Sequence, residues 1–399
     1  MEETANKNAS VKSVFLIVVT YLAFVSLGLP DGLLGIAWPF MSARSNMPLD
    51  SLGTLLICFT SGYLVTSSTS GKIMQWISLG VLLTLSCLVT ALSLLTYAFT
   101  NFWYFMIIAA FFLGSGGGAI DSSINSFAAS RFSASTVNWL HAFYGVGATA
   151  GPLLVTFMLA NDLQWYHGYI AVATIQIGLS ILFGATQRRW GMASAHEEVH
   201  SRSEYFETLK LPRVWIFMFI FFLYTGVEQG FGQWLFTVLT QSRSLGEEQA
   251  GLWTSLYWGS LTIGRIVFGI VLTKTPVNKV LAGAIIGIAA GIILFTLNLS
   301  LATNLIGIVM LGFSNAPVFP SLISVTPTQI GKEHTATAIG VQISMAMLGA
   351  ALLPGFAGLL SDNFGLEIIS KVFSIGALLL AGLYFLTITF RSKVGSVES

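Results

Sequence analysis

The chain has 399 residues, 54% of them hydrophobic and 9% charged, with a formal net charge of +1 and a mean hydropathy of +0.79. A soluble domain carries about 25% charged residues, so this composition excludes a water-soluble globule and predicts an all-α integral membrane protein with the lipid bilayer as its main partner. The near-zero charge leaves no basic face for nucleic acid, and the two cysteines, Cys58 and Cys87, fall in apolar runs where they make neither a disulfide framework nor a metal site.

Polar residues 1–10 lead into an apolar run too long for a signal-peptide core, so no cleavable leader is expected. Apolar runs then predict transmembrane helices at 12–42, 49–71, 76–98, 102–129, 136–160 and 165–186. A second set is predicted at 212–240, 248–272, 277–298, 301–328, 335–360 and 366–390. The longest polar stretch, 187–211, divides them six and six. The organisation expected is an N-terminal six-helix bundle over 1–186, a cytoplasmic linker over 187–211 and a C-terminal six-helix bundle over 212–399.

Three acids lie inside these runs: Asp31 in the first, Asp121 in the fourth and Glu228 in the seventh. Each costs roughly 2.5–3.5 kcal/mol at the centre of a span even on a lenient scale, so each is a candidate functional group, here for proton coupling. Asp31, Gly35 and Trp38 share one helical stripe. Pro30 and Pro39 flank it, and their missing N–H groups free carbonyls that must line a cavity or other protein. Asp121 and Asn125 are one turn apart, with Gly114 and Gly118 continuing their stripe, so a neighbouring helix can approach closely there. Two acids at different depths suit a proton taken up on one side and released on the other. For both, a hydrogen bond that merely packs two helices is the alternative role.

Further along, Asn138 and His141 share a face of the fifth span. His141 is a candidate for the proton path or a gate, against the simpler role of a packing residue. The seventh span holds the densest polar cluster, Glu228, Gln229, Gly232, Gln233 and Trp234. Amides and carboxylates bond paired hydroxyls, and an indole offers a flat apolar face, so Gln229, Gln233, Trp234, Trp38 and Asn125 are candidate substrate contacts. Arg265 is set well inside the eighth span and needs an acid partner or a route to the interface. Asn315 and Gln342 complete the polar candidates, and Pro317 and Pro320 predict a bend in the tenth helix.

Arg44, Arg243 and Lys371 lie on one predicted face of the membrane, Arg265 is within a span, and the remaining Lys and Arg lie on the opposite face. This bias predicts that both termini and the central loop are cytoplasmic. A 198-residue shift superposes Asp50 on Glu248, Gly53 on Gly251, Gly71 on Gly269, Gly114 on Gly312 and Asp31 on Gln229. A 202-residue shift does the same for Gly147 with Gly349 and Pro152 with Pro354. The halves therefore read as a parallel repeat, the arrangement of transporters that alternate access to a central site.

With six plus six helices, an inside central loop and this duplication, the chain resembles the major facilitator superfamily over its whole length. SGKIMQWISLG resembles that family's glycine-led loop after the second helix, departing from it at Gln75 and Ser78. The acids in the first and fourth helices, NWLHAFYGVGATAGPLL in the fifth and SNAPVFPSLI in the tenth resemble the fucose-permease-like sugar/proton symporters. The resemblance implies a monomeric cell-membrane secondary transporter that carries a small polar solute, such as a sugar, together with a proton. Sodium as the coupling ion, an exporter of drugs or metabolites, a lipid flippase and a non-transporting sensor remain alternatives. No GxxxxGK[ST], CxxC or GxSxG pattern occurs, so neither ATP drive nor an enzyme is expected. No catalytic residue, metal site or cofactor other than the coupling ion is expected.

Overall fold

The computed structural model describes residues 2–132, 134–190, 202–331 and 333–395, without the side chains of 2–14, 129, 134–138, 188, 202–205 and 388–395. The described residues form α1 (Glu2–Asp31), α2 (Leu33–Ser45), α3 (Leu52–Ile73), α4 (Leu79–Phe99), α5 (Trp103–Arg131), α6 (Ala134–Ala160) and α7 (Tyr166–Thr186). After the linker come α8 (Arg202–Leu209), α9 (Pro212–Thr237), α10 (Glu247–Val271), α11 (Val277–Leu297), α12 (Leu301–Asn315), α13 (Val318–Ile330), α14 (Thr335–Phe364) and α15 (Glu367–Gly395). Among the described residues, 11 helical stretches are long and apolar enough to cross a membrane. The predicted eighth span corresponds to α10, which falls outside that set because Gln249, Thr254, Ser255, Ser260 and Arg265 interrupt it. Thr254, Ser255 and Ser260 bond carbonyls of their own helix, at 2.9, 2.9 and 2.8 Å, so their burial leaves no orphan hydroxyl.

Two predicted spans are broken helices. The first divides at Gly32 into α1 and α2, just after Pro30. The tenth divides at Ala316–Pro317 into α12 and α13, where the sequence predicted a bend. The seventh continues beyond α9 through a π-helical turn, Val238–Ser242. The departure from the family loop at Ser78 has a local reason, since its hydroxyl caps α4 by accepting from the Val81 N–H at 3.4 Å.

Contacts divide the chain into two units. The first comprises residues 1–45 and 58–197, the second residues 46–57 and 198–399. The segment 46–57, expected within the N-terminal bundle, belongs by its contacts with the second unit. A Cβ at Gly53 would lie 2.6 Å from the Gly355 Cα, so backbone packs on backbone there. The linker also begins later than residue 187. Trp190 is wholly buried against Phe127 and Phe183 and donates to Thr186 Oγ1 at 3.2 Å, making it part of the first unit's core. At the other end of the linker, α8 holds Thr208 within 2.9 Å of His334 Nδ1, inside the second unit.

In the first unit, Phe24, Leu83, Cys87, Ile120, Leu140 and Phe183 form the core. Leu85, Leu88 and Leu92 of α4 point outward, the disposition that hydrocarbon rather than water requires. Close crossings set the helix positions. Gly28 and Gly32 on one side, and Gly147 and Gly151 on the other, let α1 and α6 meet backbone to backbone. A Cβ at Gly28 would lie 2.2 Å from the Tyr144 carbonyl oxygen, and one at Gly147 2.1 Å from that of Val25. Gly62 and Gly114 do the same for α3 and α5, and Gly226 and Gly349 for α9 and α14 in the second unit. Gly226 and Gly230 stand 198 residues after Gly28 and Gly32, extending the repeat seen in the sequence.

Candidate functional site

Two glycine crossings build the acid-bearing cluster of the first unit. Pro30 has no N–H to offer the Ser26 carbonyl. Gln176 of α7, wholly buried, donates to that carbonyl through Nε2 at 2.7 Å and so stabilises the proline distortion. Asp31 then ends α1. The α1–α6 crossing brings Tyr144 alongside, and its hydroxyl donates to Asp31 Oδ2 at 2.5 Å. The α3–α5 crossing does the same for Asp121, whose Oδ2 accepts from the Tyr63 hydroxyl. Asn125, one turn on, donates from Nδ2 to Asp121 Oδ1 at 2.9 Å, as the spacing predicted. Asp31 and Asp121 are near enough for their charges to act on each other, and Tyr63 lies within similar reach of Tyr144 and Asp31. Four helices thus bring two acids, two phenols and an amide into one neighbourhood.

The second unit has a cluster of different character. Glu228 is buried and accepts from the Tyr224 hydroxyl on its own helix and from Gln229 Nε2 at 3.2 Å. The Tyr257 hydroxyl of α10 donates to the Glu228 carbonyl at 2.7 Å and accepts from Asn315 Nδ2 at 3.3 Å. Half-buried Arg265 is close enough for its charge to act on Glu228, Tyr224 and Tyr257. Gln342 Oε1 accepts from Thr326 at 3.1 Å. Asn315 Oδ1 and Gln342 Nε2 are buried and have no hydrogen-bond partner among the described residues. Such open valences call for water or the hydroxyl of a guest molecule.

The remaining candidates are placed differently. Trp38 is wholly buried and packs at 6.3 Å from Trp103 within the first unit, since the break at Gly32 interrupts the stripe that would have joined it to Asp31. Trp234 is 1% exposed, donates to the Pro354 carbonyl at 3.0 Å and packs on Gly358, so its indole bridges α9 and α14. Gln233 is buried beside it. His141 is exposed, one turn from Tyr144, with its ring edge-on to Phe24 at 5.7 Å; the side chain of Asn138 lies outside the described residues. Tyr63, Tyr144, Gln176, Tyr224 and Tyr257 did not emerge from the sequence. The glycine pairs 28/32 and 147/151 were the available signal for Tyr144, and Gly62, Gly114 and Gly118 for Tyr63, because they mark where helices meet.

The family model described as Major Facilitator Superfamily matches residues 20–354 and 236–397. The chain belongs to the Major Facilitator Superfamily. It is a multi-pass transmembrane transporter that takes small-molecule substrates within the membrane. Among its relatives, the glucose/mannose transporter GlcP of Bacillus subtilis is 24% identical over 374 residues, spanning 91% of this chain and 92% of GlcP. A putative glucose/galactose transporter of Helicobacter pylori is 22% identical over 388 residues, spanning 91% and 93%. A crystal structure of the nucleoside transporter NupG superposes with a TM-score of 0.77 at 15% identity, covering 92% of this chain and 98% of NupG. At that identity the likeness is one of fold.

Proposed function

We propose that this facilitator is a proton-coupled symporter that imports a sugar, hexoses being the first class to test. The reading has the cell membrane as its location, both termini cytoplasmic and a single chain as the working unit. The observation that carries it is the first unit's pair of carboxyls. Asp31 and Asp121 each accept a hydrogen bond from a phenol of a neighbouring helix. A carboxyl set within a membrane-spanning helix is rare and marks a functional group, and such an acid can load and release a proton as its surroundings change. The relatives' names support a sugar. The Lys and Arg bias supports the orientation.

In the second unit the charge of Arg265 acts on Glu228. The role of Glu228 in this reading is to hold Tyr257, Gln229 and Asn315 in place, while the open amides of Asn315 and Gln342 take substrate hydroxyls. Of the sequence candidates, Asn125, Gln229, Gln233, Asn315 and Gln342 have the chemistry for those contacts. Trp38 and Trp234 serve packing.

The test is uptake of labelled glucose, mannose and galactose into proteoliposomes under an imposed proton gradient, an imposed sodium gradient, or neither. Accumulation under the proton gradient alone supports the reading. Accumulation under sodium alone makes sodium the coupling ion, and loss of preloaded sugar against an inward proton gradient makes the protein an exporter.

A further inference from the structure

The hydrogen bonds of the second unit's polar cluster fix which way the Asn315 amide faces. We propose that Tyr257 is a positioning residue for specificity. It holds Asn315 with Oδ1 presented as an acceptor, so the site selects a hexose hydroxyl that donates a hydrogen and rejects the same sugar without that hydrogen. The proposal rests on the reading of Asn315 as a substrate contact and says what that contact demands of the sugar.

A phenol has one hydrogen to give. The Tyr257 hydroxyl gives its own to the Glu228 carbonyl at 2.7 Å, the shorter of its two bonds. Toward Asn315, at 3.3 Å, it can then only accept, and only an N–H can meet it. Turning the amide over would set Oδ1 against the Tyr257 oxygen with no hydrogen between them. Nδ2 therefore faces Tyr257 and Oδ1 faces away. The hydrogen-bond network, and not shape, decides between the two ends of the amide.

The backbone makes this arrangement rigid. Asn315 is wholly buried and ends α12 at the break before α13. Three residues earlier, a Cβ at Gly312 would lie 2.4 Å from the Tyr257 carbonyl oxygen, so α10 and α12 meet there with no side chain between them. Phe231 of α9 packs edge-on against the Tyr257 ring, with centroids 5.2 Å apart. The Tyr224 hydroxyl lies 3.2 Å from the Asn315 carbonyl oxygen, so the backbone of the same residue is held as well.

Oδ1 is the atom of Asn315 left open, buried and with no hydrogen-bond partner among the described residues. A buried acceptor in that state gains from a donor and loses if a guest covers it without one. A sugar hydroxyl supplies the donor. Fluorine in its place sets two acceptors face to face, and hydrogen in its place leaves Oδ1 unsatisfied. Sites that read a hydroxyl through a buried polar group reject analogues lacking it more sharply than apolar pockets reject a change of size.

The test uses full-length protein and isothermal titration calorimetry. The probes are D-glucose, D-mannose and D-galactose, each with its monodeoxy and monodeoxyfluoro analogues. The position read by Asn315 is the one whose preference for hydroxyl over fluorine collapses in Asn315→Leu. At that position wild type should bind the hydroxyl form tighter than either analogue by about five- to 150-fold. Tyr257→Phe should bring the same ratio close to one, since the freed amide can turn and offer Nδ2, while the ratios at other positions stay as in wild type. A merely structural loss would weaken all the sugars together and leave every ratio unchanged. A ratio lost in Asn315→Leu but kept in Tyr257→Phe overturns the positioning role and leaves the substrate contact standing. If no ratio changes in Asn315→Leu, Asn315 is not a substrate contact and that reading falls. Absence of hexose binding to wild type brings down the sugar reading itself. If Tyr257→Phe does not fold, difluorotyrosine in place of Tyr257 decides. It keeps the bond to the Glu228 carbonyl but is a weaker acceptor toward Asn315, so the ratio should fall, and an unchanged ratio overturns the proposal.

Discussion

Gly147→Ala should destabilise the first unit and uncouple it, although alanine is the better helix former. The added Cβ would lie 2.1 Å from the Val25 carbonyl oxygen and 3.0 Å from the Leu29 N, where an ordinary contact begins at 3.4 Å. Both neighbours are backbone, so α1 and α6 must part by more than an ångström. Overpacking of this kind costs about 1–3 kcal/mol, while replacing glycine within a helix returns about 0.5–1 kcal/mol. The net is a loss of up to about 2.5 kcal/mol. The same separation stretches the 2.5 Å bond from Tyr144 to Asp31, so accumulation should fall further than counterflow. Gly178→Ala is the matched control, since nothing lies within 4 Å of its added Cβ; the propensity gain should then stand alone, with unchanged transport. The assay is thermal unfolding in detergent followed by tryptophan fluorescence, with both transport assays on the same preparations. A Gly147→Ala protein that melts at or above wild type, with full coupling, would refute the claim that this crossing holds the site together.

Other perturbations probe separate parts of the structure. Gln176→Leu keeps the side-chain bulk but orphans the Ser26 carbonyl below Pro30, which should cost about 1–3 kcal/mol in thermal or denaturant unfolding; unchanged unfolding would mean that water or another group serves the carbonyl equally well. Arg243 grips Glu367 through Nε and Nη2 at 3.0 and 2.9 Å while its guanidinium lies 4.0 Å from the Phe295 ring centroid. Arg243→Lys should therefore lose the fork and lower stability by about 1 kcal/mol, discounted for the partial exposure of Glu367, and a double-mutant cycle with Glu367→Gln should show the coupling. After Cys58 and Cys87 are replaced, cysteine at Glu247 should react with a membrane-impermeant maleimide from outside and cysteine at Lys274 only from the cytoplasmic side. Reaction of both from one side would contradict the orientation.

Much of this was written in one dimension. Hydrophobic runs marked the helices because only long apolar segments are stable in hydrocarbon, and the prolines at 30 and 317 marked where two of them break. The acids stood out for the same reason, since a charge in such a run is costly. The polar partners were not legible, because they join residues far apart in sequence. Tyr63 meets Asp121 across 58 residues, Tyr144 meets Asp31 across 113, and Gln176 meets Ser26 across 150. Trp38 and Trp234 show the opposite failing. Their place beside acids on a helix suggested a sugar platform, but one-dimensional spacing does not say which face of a helix is crowded. Gly358 beside Trp234 and the break at Gly32 before Trp38 turn both indoles into packing surfaces.

The most direct test of the account is whether sugar carries protons with it. Proteoliposomes loaded with a pH-sensitive dye, held without sodium and without an imposed gradient, should acidify inside when the transported hexose is added outside. The Asp31→Asn and Asp121→Asn proteins should bind the same sugar by thermal shift yet leave the dye unchanged. Sugar entry with no change in internal pH, or an equal change in wild type and both variants, would contradict it.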